Sequence, residues 1–139
     1  MSEKNNWLSA AMEQLKAIAA LPDGWDSHGA PSPNIHKVEA AAGLLCSLWL
    51  RNDGPEFSKP HVNPTRDGGV QFEWEVGYRY FEIEVVGTRA AYYLFCDEDG
   101  QTGETGCVFE EDGLNRVLKY IHRVDGEKES EVKDDKNFG

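Results

Sequence analysis

At 139 residues the chain is about one domain long, and its 40% hydrophobic content can build a core without metal or disulfide staples. The 25 acidic and 14 basic side chains leave a formal net charge of −11. That sign disfavours direct binding to nucleic-acid phosphates or anionic membranes, which both need clustered Lys and Arg.

A basic protein partner, or a protein whose own ligand is nucleic acid, fits the sign better. Maintenance of solubility is the simpler explanation of the same charge. The longest strongly apolar stretch, Ala40 to Leu50, is too short to span a bilayer, and no secretory leader is read at the start. Cys46, Cys96 and Cys107 leave one thiol unpaired whatever the pairing. They read as small hydrophobes in a reducing, cytoplasmic compartment.

In chain order, Trp7, Ala11, Leu15 and Ile18 recur at helical spacing and predict a helix from about Asn5 to Ala20. Leu21-Pro22-Asp23-Gly24 stops it. A second helix is expected from Pro33, with Ser32 as N-cap and Ile35, Val38, Ala42, Leu45 and Trp49 as its apolar stripe, Ala41 and Leu48 beside it. Asn52-Asp53-Gly54-Pro55 ends it.

From His61 the period changes to two. Val70, Phe72, Trp74 and Val76 alternate with Gln71, Glu73 and Glu75; Phe81, Ile83 and Val85 alternate with Glu82 and Glu84. Ala91 to Phe95 and Thr105 to Phe109 add two strands, and His61 to Asn63 a short edge strand. Tight connections are expected at Gly77, Gly87 and Asp97-Glu98-Asp99-Gly100, so neighbouring strands are antiparallel.

A last helix, about Glu111 to Arg123, carries Leu114, Val117, Leu118 and Ile121 on one face. The expected fold is α+β: two N-terminal helices, a four- to five-stranded antiparallel meander and a C-terminal helix, all helices on one sheet face. Residues 1–124 form one domain in this reading. From Asp125 the chain has six acids against three lysines and few apolar groups, and a disordered acidic tail over 125–139 is expected.

Three segments could carry chemistry. Gly24-Trp25-Asp26-Ser27-His28-Gly29-Ala30-Pro31 joins an aromatic, a carboxylate, a hydroxyl and an imidazole. It would be a binding or active-site loop if Asp26 oriented His28 as a base and a third group, His61 or Glu73, converged on them. Structurally, Trp25 would bury its ring over the helix pair and Asp26 would satisfy loop N–H groups.

Pro60 to Gly69, with the turn Asp67-Gly68-Gly69, is the second segment and suits a connection into the sheet. The third is the glutamate set Glu73, Glu75, Glu82 and Glu84. If its two strands pair, these carboxylates share one face and call for a compensating cation. A metal site or catalytic carboxylate pair is the sharper reading, and a solvated face the plainer one.

His28, His36, His61 and His122 show no zinc-ligand spacing with one another or with the cysteines. No phosphate-binding glycine motif or nucleophile elbow occurs, so no catalytic residue, cofactor or metal is assigned.

The run Leu21-Pro22-Asp23-Gly24-Trp25-Asp26, followed by Gly29-Ala30-Pro31, then Pro64-Thr65-Arg66-Asp67-Gly68-Gly69 and Glu73-Trp74, resembles a group of small bacterial and phage proteins. They share a GWDxxGA loop and a PTxDGG…EW strand, and their domain has no assigned activity. The resemblance covers roughly Leu15 to Tyr93 and departs from the pattern at His28, where an aromatic is often found. It implies the same α+β fold and a prokaryotic or mobile-element origin.

The function read from these observations is a non-enzymatic protein-binding module acting through an acidic surface. An antitoxin, immunity protein or phage-encoded inhibitor is its specific form. The alternative is a small enzyme or ligand-binding domain centred on the Trp25–His28 loop.

Overall fold

Apolar residues at helical spacing, followed by strict alternation, leave one solution: helices laid on a single face of a sheet. The computed structural model describes residues 7–51, 59–76, 79–96 and 103–124. Helix α1 spans Trp7–Ala19 and α2 Ile35–Arg51. Strands β1 (His61–Pro64), β2 (Val70–Val76), β3 (Arg79–Gly87), β4 (Ala90–Cys96) and β5 (Gly103–Cys107) follow, and helix α3 runs over 113–124. The connections expected at Asn52–Pro55, at Gly77 and at Asp97–Gly100, and the expected tail over 125–139, lie outside the described residues.

All four neighbouring strand pairs are antiparallel, in the order β1-β2-β3-β4-β5. The fold is therefore the expected α+β meander, with five strands. Register decides which residues meet the helices. On the inner face Val62, Phe72, Ile83, Tyr93 and Gly106 form one cross-strand row, and Trp74, Phe81 and Phe95 another.

These side chains join the buried residues of α1, α2 and α3 in one continuous core. The largest fully buried side chains are Trp74, Phe72 and Phe81. Each contributes about 1.5–3 kcal/mol by burial. Tyr120 of α3 stacks on Phe81 and Phe95, with ring centroids 5.8 and 4.8 Å away, and so seats α3 over β3 and β4. A hydrogen bond to Glu104 is the main reason that its hydroxyl is pushed up to about 12.

All four expected stripe residues of α1 are buried. Helix α2 differs from expectation at its start. Asn34, and not Ser32, is the N-cap: its Oδ1 accepts the backbone N–H of His36 at 2.9 Å and of Lys37 at 3.2 Å. Ser32 instead donates its backbone N–H to Asp23 at 2.8 Å. Val38, Ala41, Leu45 and Leu48 are buried as expected, together with Leu44, whereas Ala42 and Trp49 are only partly buried. Ile35, at the first turn, is 52% exposed.

Strand β5 begins and ends two residues earlier than expected. At Val108 the chain turns, its N–H still bonded to Ala91 O at 2.8 Å. Helix α3 then starts at 113, so Glu110, Glu111 and Asp112 precede it. Among the described residues no helix is long and apolar enough to cross a membrane.

Candidate functional site

The Gly24–Pro31 loop is a compact structure made by its own polar groups. Trp25 N donates to Pro22 O at 3.2 Å, and Gly24, with φ +77°, supplies the left-handed position that this turn needs. Gly24 N then closes on Ala30 O at 2.7 Å. Asp26 Oδ1 accepts the backbone N–H groups of His28 and Ala30 at 2.9 and 3.0 Å. Trp25 is half-buried, where full burial was expected. Its indole N–H donates to Pro31 O at 3.0 Å and staples the loop.

The β1–β2 turn docks beside this loop. Arg66 Nε lies 2.9 Å from Asp26 Oδ2, and Arg66 Nη2 reaches His28 O at 3.4 Å. Asn34 N donates to Gly68 O at 2.9 Å, and Lys37 Nζ to Asp67 O at 3.1 Å. The two conspicuous loops are thus one cross-linked corner, joined by Arg66, to which sequence pattern alone assigns no role.

Within this corner the Asp26 carboxylate serves main-chain donors and Arg66, and makes no hydrogen bond to the His28 ring. The two backbone N–H groups, then Arg66, hold Asp26 below its ordinary value of 3.8. The Thr65 hydroxyl, 2.6 Å away, does the same for Asp67, with help from Lys37. His61 and Glu73, the suggested third groups, pair with each other on the sheet and not at this loop.

Replacing Trp25 with Ala should cost about 2 kcal/mol, less than the ~3–5 of a fully buried aromatic, because the residue is only partly buried. His28→Ala should lie within about 0.5 kcal/mol of the parent, as for an exposed position. Urea melts of both variants check this; a His28 effect larger than that of Trp25 would show that the loop is held together differently.

The second place is the outer sheet face. Register puts Asn63, Gln71, Glu84, Tyr92 and Cys107 in one row, and His61, Glu73, Glu82, Leu94 and Thr105 in the next. Glu75, Tyr80, Cys96 and Gly103 make a third. All four predicted glutamates are therefore on this face, and Glu73 stands directly opposite Glu82. The three rows contain no Lys or Arg.

The cation expected for such a set is replaced largely by neutral donors. Gln71 Nε2 donates to Glu82 Oε2. The Tyr80 hydroxyl bonds to Glu73 and Glu82, and burial together with those two negative charges drives its pKa up. The Glu84 carboxylate accepts no side-chain hydrogen bond among the described residues. Burial first, then Asp67 and Glu82, raise its carboxyl above the ordinary 4.5, with the charge of Lys37 on α2 opposing.

A carboxyl with a raised folded-state pKa contributes stability below its unfolded value and loses it as pH rises through the folded one. Glu84→Gln should therefore raise the thermal midpoint at pH 7, and the gain should vanish near pH 4. Asp26 and Asp67 act in the opposite sense: their contribution is present above about pH 4 and is lost in stronger acid. Thermal scans of parent and variant across this range measure both trends. A Glu84→Gln protein less stable than the parent at pH 7 would contradict the repulsion described here.

Cys46, Cys96 and Cys107 are free thiols, each half-buried. Among the described residues no three His, Cys, Asp or Glu side chains are grouped so as to hold a metal ion. Comparison with protein-family models, with curated proteins and with solved structures gives no match.

Proposed function

We propose that this chain is a non-enzymatic protein-binding module whose outer sheet face docks on a basic surface of a partner protein. One observation carries the reading: three cross-strand rows hold four glutamates and no Lys or Arg, with Glu73 opposite Glu82. Like charges directly opposite one another weaken a sheet. A partner's Lys or Arg side chains would relieve that repulsion on binding, so complex formation gains what the free fold lacks.

The basic surface that best fits this charge is one that otherwise binds nucleic acid. In that form the chain is an antitoxin, immunity protein or phage-encoded inhibitor. Support for this form comes from the GWDxxGA and PTxDGG…EW resemblance to small bacterial and phage proteins, and from the net charge of −11. The charge also argues against direct contact with nucleic acid or anionic membranes. Free cysteines suit a cytoplasmic setting.

The Trp25–His28 loop is assigned to scaffolding, because Asp26 is engaged by His28 N, Ala30 N and Arg66.

Affinity capture from the native host, followed by mass spectrometry, tests the proposal. The expected result is one stoichiometric protein, rich in Lys and Arg, released as salt is raised. No such partner across several growth and infection conditions would overturn it.

A further inference from the structure

On the outer face a shallow groove of about 220 Å³ runs between β3, β4 and β5. It is lined by Glu82 and Glu84 of β3, Tyr92 and Leu94 of β4 and Thr105 of β5. We infer that this groove seats an arginine side chain of the partner protein, with its guanidinium between the Tyr92 ring and the Glu84 carboxylate. The inference rests on the acidic-face reading above and locates its centre.

Three observations support it. Tyr92 and Glu84 are direct cross-strand neighbours, a pairing that brings Cβ atoms to about 5 Å. A cation within about 6 Å of the ring is attracted by its π face, and one placed there is also within reach of Glu84. Tyr92 is 53% exposed, so its ring is open to such a group. The Glu84 carboxylate, unlike that of Glu82, accepts no side-chain hydrogen bond among the described residues.

A planar guanidinium can stack on an aromatic face and donate to a carboxylate at once, whereas an ammonium is a compact point charge; the groove therefore favours Arg over Lys. Other occupants fit less well. A second copy of this chain would bring the same acidic face and a charge of −11. A divalent cation finds no three-ligand group among the described residues.

The test uses the intact chain and a capped hexa-arginine peptide, followed by amide NMR at physiological ionic strength. Saturable shifts are expected at Glu82, Glu84, Tyr92, Leu94 and Thr105, with weaker binding by hexa-lysine. Tyr92→Ala and Glu84→Gln should each weaken the peptide about two- to fivefold, the range that exposed cation–π contacts and ion pairs supply. Tyr92→Phe should retain binding.

Shifts spread over acidic residues remote from the groove, such as Glu110 and Glu111, would overturn the inference. So would Tyr92→Ala and Glu84→Gln proteins that bind like the parent. A captured basic partner that tolerates Tyr92→Ala but is lost when the face is neutralised would also overturn it, while leaving the acidic-face reading in place.

Discussion

Replacing Gly113 with Ala should destabilise the protein by about 3 kcal/mol or more, at or beyond the upper end of overpacking effects. Gly113 is the first residue of α3, and its N–H donates to Glu110 O at 2.9 Å. A Cβ there would press on the Val108 carbonyl oxygen, with the carbonyl carbon only 2.7 Å away and Cys107 O at 3.1 Å. These are backbone atoms and cannot swing aside. Val108 is itself buried and tied to Ala91 O, so the turn cannot shift without disturbing β4.

At this chain length the loss corresponds to a fall in thermal midpoint of roughly 10–20 °C. Gly43 provides the comparison. It lies on the exposed side of α2 with nothing within 4 Å of an added Cβ, so Gly43→Ala should stabilise by about 0.5–1 kcal/mol. A Gly113→Ala protein as stable as the parent would show that α3 does not enter the core against the Val108 turn.

This steric lock was not legible in the sequence, because Gly113 sits in a run that also reads as ordinary helix-start chemistry. The legible parts were those set by local periodicity. The stripe of α1 and the alternation in β2 and β3 each bury one face, so apolar spacing predicts them directly.

The N-cap of α2 was harder. Ser32 and Asn34 both carry suitable oxygens, and the choice falls to Asn34 because Ser32 N is claimed by Asp23 and Asn34 N by Gly68. Asp26 and Arg66 are 40 positions apart, so only the tertiary arrangement shows that the two distinctive loops form one corner. The glutamate face was readable as alternation. That Gln71 and Tyr80 stand where a cation was expected follows from register, which the β2 and β3 patterns alone do not fix.

The other large effect is functional. Converting Glu73, Glu75, Glu82 and Glu84 together to Gln should leave the fold intact, because all four lie on the outer face away from the core. The melting temperature at pH 7 should match or exceed that of the parent, since like-charge repulsion is removed. Partner binding should fall by about a hundredfold or more if the four rim and central contacts each supply up to ~1 kcal/mol.

The decisive measurement is calorimetric titration of the captured partner with parent and fourfold variant, alongside the thermal midpoint of each. The expected result is a variant at least as stable as the parent whose binding is lost. A fourfold variant that binds the partner with the parent's affinity would contradict the assignment of the outer sheet face as the interaction surface.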